Sequence, residues 1–226
     1  MNFFGHAAVA VWFETEPRFV LGSMLPDFAS MLALRPPRTE DAPLRRGIEL
    51  HHRTDAAFHG TPEFIELVRA AERALADRGV RRGPTRAVAH IGTELVLDEV
   101  LAGDSAARSA YLEALSVAPR AAAAITWNTA ADPQRFSDLV RALERRGIVD
   151  SPPPEHVAAR LRRSLAPRPR LSLTDAEERV VCEWVPRARA RVLDSAPQLL
   201  AELARRLSVS PDGMSKDGGT NRTPGQ

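Results

Sequence analysis

The sequence predicts an all-α fold in a single domain, and three observations support this prediction. Helix-favouring alanine, leucine and arginine are abundant, whereas aromatic residues make up only 5% of the 226 residues. Apolar residues recur at helical spacing in several segments, and proline-bearing turns separate these segments. The length is sufficient for one substantial core. We therefore expect a helical bundle over 1–207 and a disordered tail over 208–226, where glycine, proline, serine and charged residues accumulate.

The N-terminal part of the chain contains signals for three helices. Residues 1–17 are apolar but lack a basic region and a cleavage site, so we expect a buried first helix rather than a signal peptide. The paired prolines in 34–43 remove backbone donors and predict a loop, after which a helix begins near Leu44. Thr61 followed by Pro62 predicts the N-cap and first turn of the next helix.

Glycines and prolines mark the middle of the chain. Gly79 is a plausible C-terminal stop for the helix that begins at Thr61. Another helix is predicted to begin at Gly83 and Pro84 and to end at Gly103. The prolines of 151–156 predict one more helix start.

The last helical segment begins with a capping box. Thr174 and Glu177 have the spacing at which each side chain satisfies the other residue's backbone amide. Pro186 and Pro197 are predicted to break or kink this segment, because proline lacks the amide donor of a helix interior.

Composition argues against several classes of protein. The formal net charge of +2 is too small to indicate a nucleic-acid-binding protein. Cys182 is the only cysteine, which excludes an intramolecular disulfide and favours a reducing compartment. No segment approaches the roughly 20 consecutive apolar residues of a membrane span, so we expect no membrane association and a cytoplasmic location.

Two segments carry ionisable residues at intervals of four. His51, Asp55 and His59 share one helical face, because positions i, i+4 and i+8 drift by only about 80° around a helix. The segment 84–102 repeats this pattern in otherwise apolar surroundings. Its three members are His90, Glu94 and Asp98.

The apolar surroundings of the second stripe favour a metal site. An unpaired buried carboxylate is costly, so such groups are normally paired, protonated or bound to a cation. One such histidine–carboxylate pair alone would more often be a surface ion pair. Two stripes on two helices could face each other and enclose one or two ions, and imidazole with carboxylate suits Mn, Fe, Zn or Mg.

Two more residues join the predicted site, although each alone would more often be a satisfied core or capping group. His6 lies within the apolar string "FFGHAAVAV", and Asp27 follows the apolar run in "GSMLPDF". We expect five side chains to converge on one cavity, with His90 and His59 at its margin. The five are His6, Asp27, His51, Glu94 and Asp98.

Five strings in order resemble the bacterial acyl carrier protein phosphodiesterase family. They are "MNFFGH", "LGSMLPDF", "GIELHHRTDAAFHGTP", "ELVLDEVLA" and "RPRL", and the similarity extends from residue 1 to about 205. The resemblance implies a helical fold akin to the HD-type metal phosphohydrolases. It also implies a divalent-cation-dependent hydrolase, usually associated with Mn²⁺, that releases 4'-phosphopantetheine from holo acyl carrier protein.

Matched by position, the family's functional residues fall on members of the two stripes, on the two added residues and on Arg53. Those positions are His6, Asp27, His51, Arg53, Asp55, Glu94 and Asp98. The chain departs from the family pattern at Glu99, where the family has histidine, and at Phe58 and His59, where it has Thr-Asp. His90 is an additional histidine. These departures leave open a substrate that differs from that of the family.

The resemblance and the residues together suggest catalytic roles. Asp55 or His59 could orient or deprotonate a water molecule, and Arg53 could bind a phosphate oxygen. The five arginines of 160–170 could dock an acidic carrier protein, although a solvated basic face would explain them equally. Two alternatives remain open: a metal hydrolase of another phosphoester, such as a nucleotide or phospholipid head group, and a non-catalytic helical binding protein.

Overall fold

The computed structural model describes residues 1–208 and confirms the all-α prediction. Within these residues there are nine α-helices, one 3₁₀ turn and two strands of two residues each. The helices are α1 (Phe3–Ala10), α2 (Pro17–Met31), α3 (Ala42–His59), α4 (Pro62–Ala76), α5 (Arg82–Leu101), α6 (Ser105–Ala121), α7 (Asp132–Arg146), α8 (Pro154–Leu165) and α9 (Asp175–Arg206). Strand β1 (Arg38–Thr39) pairs antiparallel with β2 (Ile125–Thr126). The predicted tail lies outside the described residues from 209 onward.

Local capping explains several helix starts. The Thr61 side chain accepts a hydrogen bond from the amide of Phe64, so it is the predicted N-cap of α4. Thr174 and Glu177 form the predicted capping box of α9. Gly79 has a φ of +82° and lies in the turn that follows α4, a conformation that a glycine adopts without strain.

Of the predicted break or kink at Pro186 and Pro197, the break is wrong, because α9 continues through both prolines to Arg206. A proline removes one amide donor and adds a local clash, which together cost about 3 kcal/mol. Residues on the buried face of α9, including Val185, Val192 and Leu199, lie in the hydrophobic core. Packing of this face offsets the local cost, as tertiary contacts commonly override helix propensity.

Helix α1 lies at the centre of the bundle. All eight of its residues are buried, and it packs against α2, α3, α5 and α6. A histidine on such a helix has no access to bulk water. His6 is therefore held in the core, where its ring nitrogens must find partners within the protein.

Helices α2 and α3 approach each other closely at two glycines. A Cβ atom at Gly47 would lie 2.2 Å from the carbonyl oxygen of Phe19 and 2.7 Å from the Cα atom of Gly22. This contact places the next turn of α3, which bears His51, beside Ser23 of α2. The glycine pair therefore fixes the spacing of the two helices next to the candidate site.

Replacement of Gly47 by Ala is expected to destabilise the protein by about 3 kcal/mol or more, because the added methyl group meets backbone atoms that cannot rotate away. Urea unfolding of the two proteins measures the difference. Gly103→Ala is the matched control, since its nearest neighbour would be the carbonyl oxygen of Val100 at 3.3 Å. Equal stabilities for Gly47→Ala and Gly103→Ala would contradict the close contact.

Candidate metal centre

The first group of potential ligands comes from three different helices. His6 of α1, Asp27 of α2 and His51 of α3 each present one ligand atom, and these atoms lie within 4.8 Å of one another. The rings of His6 and His51 stack with their centroids 3.8 Å apart. Nδ1 of His51 lies 2.9 Å from the carbonyl oxygen of Ser23. Because a carbonyl oxygen only accepts, Nδ1 carries the proton and Nε2 keeps a free lone pair for a cation.

Several polar atoms of this first group lack a hydrogen-bond partner among residues 1–208. They are Nδ1 and Nε2 of His6 and Oδ2 of Asp27, all of them buried; Nε2 of His6 lies 3.2 Å from Oδ1 of Asp55, but without the geometry of a hydrogen bond. Burial lowers the pKa of His6 and lowers that of His51 to about 3, so both imidazoles are neutral at pH 7. Burial raises the pKa of Asp27 to about 8. A divalent cation would satisfy one ring nitrogen of His6 and Oδ2 of Asp27, and it would return Asp27 to its ionised form.

Asp55 connects the first group to the second stripe. Its Oδ1 lies 3.2 Å from Nε2 of His6 and 3.9 Å from Nδ1 of His59, and its Oδ2 lies 3.8 Å from Nε2 of His51. The α-amino group of Met1 is 2.7 Å from Oδ1. Burial acts to raise the pKa of Asp55, but its contacts with His6 and the Met1 ammonium outweigh burial and hold that pKa well below its usual range. Asp55 is therefore an ionised carboxylate between the two groups.

The second group consists of His59 on α3 with His90 and Glu94 on α5, again with ligand atoms within 4.8 Å. Oε1 of Glu94 lies 3.0 Å from Nε2 of His59, 3.2 Å from Nε2 of His90 and 3.1 Å from the amine of Met1. Burial acts to raise the pKa of Glu94, but these partners outweigh it and keep the pKa low. Glu94 is thus already compensated, so the first group has the greater need of a cation.

Asp98 lies outside both groups, although the sequence predicted it as a ligand. The side-chain amide of Asn2 donates a hydrogen bond to Oδ2 at 2.5 Å, and Oδ1 is buried without a partner among the described residues. Burial raises the pKa of Asp98 to about 7. The neighbouring Glu99 accepts two hydrogen bonds, at 2.7 and 2.9 Å, from the guanidinium of Arg189. Glu99, one of the departures from the family pattern, therefore forms an ion pair with Arg189.

Arg53, the predicted phosphate-binding residue, is exposed on α3. Its guanidinium carbon lies 5.9 Å from the centroid of the Phe13 ring, and it forms no ion pair with any described residue. The structure therefore places Arg53 against Phe13 and in neither group of ligand atoms. Both predicted bases, Asp55 and His59, do lie at the site.

Sequence reasoning missed three groups near the site. The Met1 amine lies beside Asp55 and Glu94 because of the tertiary fold, which no sequence pattern indicates. Asn2, which holds Asp98, gives no signal beyond its place in "MNFFGH". Arg160 had a usable signal: it lies three residues after Val157 and one before Leu161, both buried, so it lies near the inner face of α8.

Comparison of the chain with protein-family models, curated proteins and solved structures gives no match. In the part of the chain that the structure describes, no helix combines the length and the apolar character needed to cross a membrane.

Without metal, the folded protein is expected to lose stability between pH 6.5 and 8.5. Asp27 and Asp98 have folded pKa values of about 8 and about 7, well above their ordinary value of 3.8. In that window the folded state binds more protons than the unfolded chain, so the free energy of unfolding falls as pH rises through the folded values. The lowered pKa values of His6 and His51 act oppositely, because unfolded histidines gain protons as pH falls through about 6.5. They therefore offset part of the loss at the acid end of the window and little of it at pH 8.5.

Urea unfolding of EDTA-treated protein at pH 6.5 and 8.5 measures this loss. The Asp27→Asn variant, which cannot ionise at position 27, should show a smaller decrease than the wild type. A wild-type free energy of unfolding that stays constant or rises across the window would contradict the buried, protonated states of Asp27 and Asp98.

Proposed function

We propose that this protein is a metal-dependent hydrolase of phosphodiesters, with the cation held by His6, Asp27 and His51 and approached by Asp55. The observation that supports this proposal is the set of buried ligand atoms without partners in the first group. Two neutral imidazoles and two carboxylates form a donor set that suits Mn²⁺, Fe²⁺ or Zn²⁺. The sequence resemblance favours Mn²⁺ within that set.

A divalent cation at such a site supplies Lewis acidity toward a phosphoryl oxygen and lowers the pKa of a bound water. The side chains of the protein supply the remaining tasks. Asp55 is ionised and lies next to both groups, so it can orient a water by accepting its hydrogen bond. A carboxylate with so low a pKa is a weak base at neutral pH.

His59 is the better candidate for the general base. Its Nε2 lies 3.0 Å from Oε1 of the ionised Glu94, which favours the tautomer that carries its proton on Nε2. Nδ1 is then free to accept a proton from water near Asp55, 3.9 Å away. The His59 side chain is one-third exposed, so a substrate can reach it. This arrangement of base and orienting carboxylate is common in hydrolases.

The substrate proposed from the resemblance is holo acyl carrier protein. Of the arginines in 160–170, Arg162 is paired with Asp175 and Glu178, whereas Arg168 and Arg170 are exposed and form no ion pair with a described residue. These two arginines could contact an acidic partner.

Two measurements test the proposal in sequence. Elemental analysis of protein purified without chelator or affinity metal should find about one divalent ion per chain. Release of 4'-phosphopantetheine from holo acyl carrier protein with added Mn²⁺ should then be assayed, followed by a panel of simple phosphodiesters. Absence of bound metal would overturn the metal centre. Metal without hydrolysis of any of these substrates would leave a metal-binding protein and overturn the phosphodiesterase.

A further inference from the structure

A cavity of about 290 Å³ lies between α1, α5, α6 and α8 and the segment 146–152. Asp98 is part of its wall, but among the described residues the cavity is lined by no member of the two ligand groups. Two other cavities of the described chain measure only about 20 Å³ each. The proposed hydrolase leaves this space without a role.

Three arginines line the cavity: Arg146, Arg160 and Arg163. Their guanidinium groups form no hydrogen bond or ion pair with another residue of 1–208. Arg160 is half-buried, with its guanidinium 5.8 Å from the centroid of Phe3. Burial is the largest factor and lowers the pKa of Arg160; the charge of Asp98 opposes it, and the positive charges of Arg146 and Arg163 add to it. Arg146 and Arg163 are exposed. One half-buried and two exposed cations without ion-pair partners create a positive potential at the cavity, which an anion would relieve.

The other polar groups of the cavity do not cancel this charge. Glu99 is already paired with Arg189, and Asp98 accepts a hydrogen bond from Asn2. The three arginines therefore leave a surplus of two positive charges even when Asp98 is ionised. Tyr111 is only 1% exposed and lines the cavity, and its hydroxyl forms no hydrogen bond with a described residue. This hydroxyl can donate a hydrogen bond to a ligand in the cavity.

The remaining walls are apolar. Phe3, Phe4, Leu95, Ile148 and Val149 line the cavity, so a ligand that fills it would bury hydrocarbon as well as charge. A bare inorganic anion would leave this apolar surface uncovered.

We infer that this cavity binds an aliphatic phosphate monoester, with the phosphate between the three arginines and Tyr111 and the hydrocarbon against Phe3, Phe4 and Leu95. A dianion matches the surplus of two positive charges, and guanidinium groups bind phosphate oxygens through paired hydrogen bonds. This inference goes beyond the proposed hydrolase and does not depend on the metal centre.

Calorimetric titration of the full-length protein in EDTA at pH 8 tests the inference, with hexyl phosphate as the probe. Hexyl phosphate should bind at least tenfold more tightly than inorganic phosphate, hexanol or hexanoate. These three compounds carry the anion alone, the hydrocarbon alone and a monoanionic head group. No measurable binding of hexyl phosphate would overturn the inference, and so would equal affinity for any of the three.

Two variants locate the site. Arg160→Gln should weaken hexyl phosphate binding at least tenfold, and Tyr111→Phe, which removes only the hydroxyl, should weaken it several-fold with the ring retained. Arg120→Gln, which replaces an exposed arginine outside the cavity, should bind like the wild type. Thermal melts verify that each variant is folded. If both folded cavity variants bound hexyl phosphate with wild-type affinity, the proposed site would be wrong. Loss of binding in Asp27→Asn would also overturn it, because the phosphate would then lie at the candidate metal centre.

Discussion

Asp27→Asn is expected to weaken binding of the divalent cation more than about 100-fold, since even partners of ligands contribute 10–100-fold to metal affinity. The change keeps the size of the side chain and removes the negative charge that offsets the cation. Hydrolysis should fall with metal occupancy. Because Asp27 has a pKa of about 8 in the metal-free protein, the folded structure already accommodates an uncharged group at this position. The variant should therefore remain folded at pH 7.

Metal titration of the chelator-treated protein, followed by calorimetry, measures this effect. Asp77→Asn is the matched control, because Asp77 is exposed at the end of α4 and forms no ion pair with a described residue. If the folded Asp27→Asn variant bound the cation with wild-type affinity, the cation would not be bound by the first group.

His59→Gln is expected to slow hydrolysis by about 10²–10⁴-fold, the usual contribution of a general base. Glutamine can still donate a hydrogen bond to Glu94, but its side chain cannot take a proton from water. The first group does not contain His59, so cation affinity should stay within a few-fold of the wild type.

The comparison of metal binding and turnover separates this role from a ligand role. Steady-state rates at saturating Mn²⁺ and metal affinities are measured for His59→Gln and for His52→Gln, in which an exposed histidine seven positions earlier is replaced. Loss of cation affinity together with rate would make His59 a ligand. An unchanged rate would remove it from the mechanism.

Much of the helical architecture follows from short-range sequence signals. Thr61, Thr174 and Glu177 cap the helices that they were expected to cap, because capping depends on side chains within three residues of the helix start. The course of α9 through Pro186 and Pro197 could not be predicted this way. Its continuity depends on the burial of one face against distant helices, which local propensity does not contain.

The spacing of residues along the chain is sufficient to predict two histidine–carboxylate stripes, because residues four apart share a helical face whatever the surrounding fold. Which of these residues meet one another depends on the packing of the helices. His6 and Asp27 meet His51 because α1, α2 and α3 cross closely, with Gly22 and Gly47 removing the side chains that would separate α2 from α3. Asp98, the last member of its stripe, instead accepts a hydrogen bond from Asn2 and lines a different cavity. The periodicity of a sequence gives the direction of each side chain around its own helix, whereas contacts between side chains of separate helices depend on how those helices pack.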